Sequence, residues 1–145
     1  MSQLEIRQAR QDDLPKIEKL LEEASLPTLA VAEHLNNYRV ANNGNTVIGA
    51  IGLEVYDGTA LLRSAVVSPD ERGKGIGARL YDTIVEHAKG LGIRRLLLLT
   101  NTAEEYFRQR EFRVIEQQSV TGSVSTSVEF TWACPSHAVC MELLL

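Results

Sequence analysis

One short stretch of this sequence combines the residue types that bind a diphosphate. It reads Arg72-Gly73-Lys74-Gly75-Ile76-Gly77 and joins an apolar strand pattern to an amphipathic helix pattern. Glycines let backbone N–H groups approach an anion closely, the N-terminus of the following helix is electropositive, and the two basic side chains add full charges. We therefore predict that this turn holds a pyrophosphate. Taken alone, the same turn is as well explained as a plain connection between strand and helix.

The glycine spacing separates this turn from two common nucleotide-binding loops. A dinucleotide site normally carries Gly-x-Gly-x-x-Gly with an acidic residue about 20 positions later. A nucleoside triphosphate loop ends in Gly-Lys followed by Ser or Thr. Here the glycines are spaced Gly-x-Gly-x-Gly after an arginine, and neither pattern is completed. Both of these enzyme classes are therefore disfavoured.

A second set of chemically active side chains lies on a predicted β-hairpin. Two apolar runs flank Asp57-Gly58, a pair typical of a two-residue turn, so that Tyr56 pairs with Thr59. Alternation then puts Glu54, Tyr56 and Arg63 on one face of the sheet. The apolar set predicted for the opposite face is Ile51, Leu53, Val55, Ala60, Leu62 and Val66.

The polar face of this hairpin has two readings. Arg63 and Tyr56 together could bind an amino acid-like substrate, with the guanidinium holding an anionic head group and Glu54 acting as a general base. The alternative is a solvated or salt-bridged sheet face without a catalytic role. The residue types alone do not separate the two readings.

The elements that must position these residues alternate between strands and helices. The N-terminal part predicts a strand at Leu4 to Arg7, a helix capped by Asp12 or Asp13, and a second short helix between Leu29 and Leu35. After the glycine-rich turn, the patterns predict a long helix from Ile76 to about Leu91, a strand at Leu96 to Leu99 buried on both faces, a short helix at Ala103 to Arg110, and closing strands at Phe112 to Ile115 and Ala138 to Leu143. The run Gln117 to Ser127 is left open between loop and exposed strand.

Composition limits the class of protein. The chain has 145 residues, 44% of them hydrophobic, which predicts one domain over residues 1–145 with a substantial core. A net charge of −4 argues against general nucleic-acid binding. With no apolar stretch long enough to span a bilayer and no secretory start, we expect a soluble cytoplasmic protein. The three histidines are far apart, and Cys134 and Cys140 do not form a zinc or disulfide framework, so no metal site is predicted.

The glycine-rich turn resembles the acetyl-CoA motif of the GCN5-related N-acetyltransferase (GNAT) superfamily, [Arg/Gln]-x-x-Gly-x-[Gly/Ala]. The similarity extends to Ala65-Val66-Val67-Ser68-Pro69 before the motif and to Leu80 to Ala88 after it. Within the superfamily, the chain is most similar to the arsenic-resistance N-acetyltransferases, which are related to phosphinothricin-type acetyltransferases. Three stretches carry this finer resemblance: Glu54 with Leu61 to Ser64, Tyr106-Phe107 with Arg110 to Phe112, and Glu129-Phe130 with Cys134 to Met141.

The resemblance implies a GNAT fold of the mixed α/β class, with a central, largely antiparallel sheet of about six to seven strands that splays apart to receive the pantetheine arm. It implies acetyl-CoA as co-substrate and transfer of an acetyl group to the amine of a small acceptor. The expected acceptor is an arsenic- or phosphorus-containing amino acid, in a detoxification role. Two alternatives remain: a non-catalytic acyl-CoA-binding sensor, and a peptide or protein N-acetyltransferase. A homodimer is compatible with the resemblance.

The resemblance also implies roles for individual residues. A backbone N–H near Val66 or Val67 stabilises the oxyanion, and Asn101 and Phe107 join the glycine-rich turn in binding CoA. The superfamily often has a tyrosine where this chain has Phe107, so Tyr106 or water is the expected proton donor to the CoA thiolate. Glu54, on the polar face of the hairpin, is the leading candidate for the base; the alternative is an amine that binds in its neutral form or loses its proton through water.

Overall fold

The computed structural model describes residues 4–127 and 138–145. The predictions that fall on Glu129-Phe130 and on Cys134 and its neighbours in the tail lie outside the described residues. None of the helices in these two ranges has the length and apolar character that a bilayer crossing requires.

Seven strands of the described chain form one sheet in the order β1-β2-β3-β4-β5-β7-β6. All neighbouring strands are antiparallel except β4 and β5, which are parallel. The mixed, largely antiparallel sheet predicted from the sequence is confirmed. The strands are β1 (Leu4–Gln8), β2 (Tyr38–Asn43), β3 (Thr46–Tyr56), β4 (Thr59–Val67), β5 (Arg95–Thr100), β6 (Arg113–Ile115) and β7 (Val139–Leu144).

In the two described ranges, three α-helices accompany the sheet: α1 (Leu14–Glu23), α2 (Ile76–Gly90) and α3 (Glu104–Arg108). The short helix predicted near Leu29 is instead a 3₁₀ turn at Ala32–Asn37. Asp13 occupies the N-cap position of α1, as predicted, but its side chain does not cap the helix. Its carboxylate instead accepts hydrogen bonds from the Arg7 guanidinium at 2.8 and 3.0 Å and from the Arg10 N–H at 2.7 Å.

The β3–β4 hairpin forms in the predicted register, with Tyr56 opposite Thr59 and positive φ angles at Asp57 and Gly58. Further along, Gly52 lies opposite Arg63, but Ala50 lies opposite Val66. Ser64 and Ala65 together therefore face one residue of β3, which is a β-bulge, and Ser64 has a φ of 62°.

The bulge corrects one sequence-based assignment. The extra residue reverses the alternation of side chains beyond it. Val66 consequently packs with Tyr38 and Val40 beneath α1, whereas Ile51 and Leu62 pack on the opposite face beneath α2. The prediction that Val66 shares a face with Ile51 and Leu62 is wrong, because strict alternation does not hold through a bulge.

The sheet opens between β4 and β5. These strands pair only from Thr59 opposite Arg95 to Leu61 opposite Leu97. Beyond that point β4 continues along β3 as far as Val67, and β5 continues along β7 as far as Thr100. The parallel pair therefore diverges while each strand keeps its other neighbour, and a cleft opens between them.

The two faces of the sheet are covered differently. Helix α2 covers one face, with Leu80, Ile84 and Ala88 fully buried. The other face has two apolar covers: α1 lies over β2 and β3, and two 3₁₀ turns between Gln117 and Thr126 bring Val120 and Val124 onto β5 and β7. The open assignment of this last segment is thus resolved as loop with 3₁₀ turns. A group of polar residues lies between the two covers.

Candidate functional site

A cleft of about 410 Å³ occupies the opening between β4 and β5. One wall is β4 from Leu62 to Val67, and the other includes Leu98 to Thr100 of β5. Several residues predicted from the sequence to contact ligands meet here. The cleft is lined by Arg63, Val66, Val67, Arg72, Gly77, Tyr106 and Phe107, together with residues of α2 and of the loop after α1.

The glycine-rich turn stands at one end of this cleft, immediately before α2. Gly73 and Gly75 have φ angles of 81° and 79°, a conformation that side chains with a Cβ rarely adopt. Gly75 is the N-cap residue of α2, so the first N–H groups of the helix, which have no partner within the helix, follow it directly. Ile76 is buried and anchors the first turn of α2 in the core. The turn therefore presents N–H donors where a diphosphate would need them.

The two basic residues of the turn lie differently. The Lys74 ammonium is exposed and pairs with the Glu71 carboxylate at 2.9 Å. Arg72 lines the cleft, and its Nε donates to the carbonyl of Val67 at 3.2 Å. Within the glycine-rich run, the lining residues are Arg72 and Gly77, whereas Lys74 is exposed and does not line the cleft.

The register of β4 distinguishes the two valines proposed to stabilise an oxyanion. The Ser68 N–H donates to the carbonyl of Ile48, on the β3 side, at 2.7 Å. Because N–H groups alternate in direction along a strand, the N–H of Val66 also points toward β3 and that of Val67 points into the cleft. Val67 is therefore the better oxyanion donor of the two.

Glu54, Tyr56 and Arg63 share one sheet face as predicted, and they form a buried hydrogen-bonded group. The Arg63 guanidinium donates to Oε2 of Glu54 at 2.7 Å. Tyr56 and Ser127 both donate to Oε1, at 2.5 and 2.6 Å. The Glu54 and Arg63 side chains are 1% and 0% exposed. The salt-bridged alternative for this face is thus realised, but as a buried pair.

The surroundings of Glu54 determine its protonation. Burial by itself raises the pKa of this carboxyl, but the hydrogen bonds from Ser127, Tyr56 and Arg63 and the charge of Arg63 outweigh burial and hold the pKa below its usual value. Burial and the hydrogen bond to Glu54 raise the pKa of Tyr56 to about 12. Glu54 also lies outside the cleft lining. The geometry favours an anchoring role for Glu54 over the predicted role of base.

Arg63 lines the cleft, but its side chain is 0% exposed and its guanidinium is hydrogen-bonded within the protein. Nε donates to the Ser64 hydroxyl at 3.2 Å, and a terminal nitrogen donates to the carbonyl of Pro27, in the loop after α1, at 3.3 Å. With the bond to Glu54, all three guanidinium nitrogens donate to groups of this chain. Tyr56 contacts Glu54 and does not line the cleft.

Two tyrosines line the cleft, and the sequence reasoning identified one of them. Tyr106 is 41% exposed, whereas Phe107 is buried against Phe112, with ring centroids 5.4 Å apart. Tyr81 of α2 also reaches the cleft, and burial raises its pKa. The Arg110 guanidinium carbon lies 4.8 Å from the Tyr81 ring and 4.5 Å from the Tyr106 ring. Tyr81 was missed because its helical position is typical of a core residue.

Other predicted contacts are placed as follows. Asn101 is exposed between two lining residues, and the hydroxyl of Thr100, not Asn101, accepts the N–H groups of Thr102 and Ala103 before α3. Within residues 4–127 and 138–145, no group of three or more His, Cys, Asp or Glu side chains could hold a metal ion. Burial raises the pKa of the Cys140 thiol to about 11, which keeps it protonated.

Sequence comparison identifies relatives along most of the chain. A family model described as acetyltransferase (GNAT) family matches residues 4–112. An amino-acid acetyltransferase of Neisseria meningitidis serogroup A is 28% identical over 124 residues, which cover 79% of this chain and 28% of that protein. An amino-acid acetyltransferase of Mycobacterium tuberculosis is 30% identical over 135 residues, covering 82% of this chain and 74% of that protein. The chain thus spans little more than a quarter of the Neisseria relative's length.

Solved structures share the fold. Rv2747 from Mycobacterium tuberculosis, in complex with CoA and NLQ, superposes with a TM-score of 0.81 at 25% identity, covering 97% of this chain and 99% of that chain. N-acetylglutamate synthase from Neisseria gonorrhoeae, complexed with coenzyme A and N-acetyl-glutamate, has a TM-score of 0.83 at 22% identity, covering 98% of this chain and 35% of that chain. The second likeness shows the fold alone.

Proposed function

Because the chain belongs to the acetyltransferase (GNAT) family, we propose that it is an acetyl-CoA-dependent N-acetyltransferase whose acceptor is the amine of a small, anionic amino acid. The observation that carries this proposal is the cleft, which has the glycine-rich N-terminus of α2 beside it and Arg63 among its lining residues. The proposal takes residues 1–145 as one acetyltransferase domain. Cytoplasmic location, as expected from the sequence, and a homodimeric state, which is compatible with the family resemblance, are also proposed.

The cofactor side of the cleft fits acetyl-CoA. Gly73 to Gly77 would hold the pyrophosphate through backbone N–H groups, and Arg72 and Lys74 would supply positive charge. Among the described residues, no strand pairs with β4 beyond Leu61 on the β5 side, so backbone groups on that edge could pair with an extended pantetheine arm. Phe107 provides an apolar wall, and Asn101 stands at the rim.

The acceptor side favours an amino acid. Arg63 is the charged side chain in the β4 wall, and a guanidinium binds carboxylates through paired hydrogen bonds. The relatives from Neisseria meningitidis and Mycobacterium tuberculosis are amino-acid acetyltransferases, which supports the same class of acceptor. A glutamate-like molecule satisfies both observations. Arsenic- and phosphorus-containing amino acids share the carboxylate and the amine, and they are the rival acceptors within this class.

The chain's own residues would act as follows. Acetyl-CoA supplies the acetyl group as a thioester, so the acceptor nitrogen forms the new N–C bond as the C–S bond breaks. The Val67 N–H would donate to the developing oxyanion, an interaction worth about 2.7–4 kcal/mol for preorganised donors of this kind. Tyr106 would donate a proton to the departing sulfur, and solvent would take the proton lost by the amine.

An acceptor panel tests the proposal. Initial rates of CoA thiol release would be measured with glutamate, aspartate, arsinothricin, phosphinothricin, spermidine and a short peptide. We expect turnover with the anionic amino acids, and a rise in acceptor KM of at least tenfold in Arg63→Lys, which keeps the charge but loses the planar fork. Arg108→Lys, at an exposed position, is the matched control and should leave the KM for the acceptor and the KM for acetyl-CoA unchanged. Turnover restricted to spermidine or the peptide would contradict the proposed acceptor.

A second candidate function is a non-catalytic acyl-CoA sensor. The observation that favours it is Phe107, which occupies a cleft position with no hydroxyl. Saturable binding of acetyl-CoA without turnover of any acceptor in the panel would support the sensor and overturn the enzyme.

A further inference from the structure

The residue that forms the β4 bulge is a serine in a conformation that side chains rarely adopt. Ser64 has a φ of 62° and is 9% exposed, and it lines the cleft directly after Arg63. A non-glycine residue in this region is typically strained, and such strain often coincides with a functional site. Glycine would adopt this φ without strain, and the hydroxyl is the polar group that such a replacement would remove.

That hydroxyl connects two buried groups. The Tyr38 hydroxyl lies 2.7 Å from Oγ of Ser64, and Nε of Arg63 donates to the same oxygen at 3.2 Å. Tyr38 is fully buried, and its ring lies against Gly52, where an added Cβ would come within 2.3 Å of the ring. Tyr38 is therefore held rigidly by the sheet, and it gives the Ser64 hydroxyl a fixed reference point.

The same residue belongs to both halves of the proposed reaction. Its side chain orients the guanidinium that would bind the acceptor carboxylate, and its backbone forms the bulge that sets the direction of the Val67 N–H three residues later. A second guanidinium nitrogen, Nη1, donates to Glu54. Because two different nitrogens are held, one by Glu54 and one by Ser64, the guanidinium plane is fixed before an acceptor arrives.

We propose that Ser64 is a positioning residue that selects anionic acceptors, because its hydroxyl, held by Tyr38, fixes the plane of the Arg63 guanidinium. This inference rests on the proposed function, since it assigns the acceptor carboxylate to Arg63.

Ser64→Gly is the decisive variant, because glycine accepts the positive φ and the bulge is kept while the hydroxyl is lost. We expect the KM for glutamate to rise about tenfold, while the KM for acetyl-CoA changes less than twofold. Tyr38→Phe should shift the acceptor KM in the same direction by a smaller factor. Ser119→Gly removes an exposed hydroxyl outside the cleft and is the matched control for a serine-to-glycine change. Equal increases in both KM values, or no increase in either, would overturn the inference.

A readout independent of turnover separates this inference from the proposed function. In a ¹⁵N-edited NMR spectrum, the Arg63 Nε–H signal, assigned by its loss in Arg63→Lys, should exchange slowly with solvent in the unmodified protein. We expect exchange at least tenfold faster in Ser64→Gly and unchanged exchange in Ser119→Gly. Slow exchange that persists in Ser64→Gly would overturn the positioning role even if glutamate is acetylated. Absence of glutamate turnover together with faster exchange would overturn the acceptor assignment and the selecting role, while the hydrogen bond itself would stand.

Discussion

Neutralising Glu54 should destabilise the protein far more than neutralising an exposed carboxylate. In Glu54→Gln the shape of the side chain is kept, but the Arg63 guanidinium loses its counter-charge at a position where its side chain is 0% exposed. Removing one partner of a buried ion pair costs about 3–5 kcal/mol. Since about 1.4 kcal/mol corresponds to a factor of ten, the unfolding constant should rise by about 10²-fold to about 4 × 10³-fold.

Urea denaturation at pH 7, followed by circular dichroism, measures this loss. Glu71→Gln is the control, because Glu71 pairs with an exposed lysine, and such surface pairs are worth about 0–1 kcal/mol. A double variant Glu54→Leu with Arg63→Met removes both charges and should recover most of the lost stability. A loss below about 1 kcal/mol in Glu54→Gln would refute the reasoning, because the buried pair would then not be held as the structure shows.

The same variant separates anchoring from base catalysis. If Glu54 only anchors Arg63, the acceptor KM rises and the shape of the pH profile of kcat/KM is unchanged. If Glu54 is the base, as the sequence predicts, the acidic limb of the pH profile of kcat/KM disappears in Glu54→Gln. Loss of that limb in a folded Glu54→Gln protein would contradict the anchoring role.

Four further predictions follow from the contacts described. Tyr106→Phe should lower kcat by about 100-fold, as expected for a general acid, and Tyr81→Phe by less than threefold; the reverse order in steady-state kinetics would make Tyr81 the proton donor. Gly77→Val should raise the KM for acetyl-CoA at least tenfold without loss of stability in urea denaturation. A Cβ at Gly77 meets only Val67, at 3.8 Å, and the rest of the valine side chain would enter the cleft. An unchanged KM for acetyl-CoA would mean that CoA binds elsewhere. Gly52→Ala should lower the free energy of unfolding by about 1–3 kcal/mol in the same measurement, because its Cβ would overlap the Tyr38 ring. Gly90→Ala, with open space around the Cβ, is the control and should cost nothing. Equal stabilities of the two variants would contradict the close contact at Gly52. In the folded protein the pKa of Glu54 lies below its usual value of 4.5, so the stability that ionised Glu54 contributes is present above pH 4.5 and is lost as the pH falls through the folded pKa. The free energy of unfolding, measured over a pH series, should therefore decline below about pH 4.5 in the unmodified protein and less steeply in Glu54→Gln.

Much of the fold was predictable because its signals are local. The Asp57-Gly58 turn fixed the β3–β4 register, and the apolar periodicity after Gly75 identified α2. The bulge was not predictable, because Ser64 carries no local signal for a positive φ. That one residue decides which face Val66 occupies, which is why alternation placed it wrongly.

The candidate site was predictable in part. The glycine-rich turn was predictable because several residues at fixed spacing all favour the binding of a diphosphate. The hydrogen bonds from Arg63 to Glu54, Ser64 and Pro27 could not be predicted, because they require the loop after α1 to pack against β4 in three dimensions. Tyr81 escaped notice for a related reason: helical periodicity shows that a residue faces inward, but not that the interior there is a cleft.

The most direct test of the account is product identification by mass spectrometry. The purified protein would be incubated with acetyl-CoA and ¹⁵N-labelled glutamate, and free CoA would be quantified in the same samples. The account predicts ¹⁵N-labelled N-acetylglutamate and free CoA in equal amounts, with both strongly reduced in Arg63→Lys at glutamate concentrations below the KM. Release of CoA without any acetylated amino acid, or acetyl-CoA binding with no reaction for glutamate and the other anionic amino acids, would contradict it.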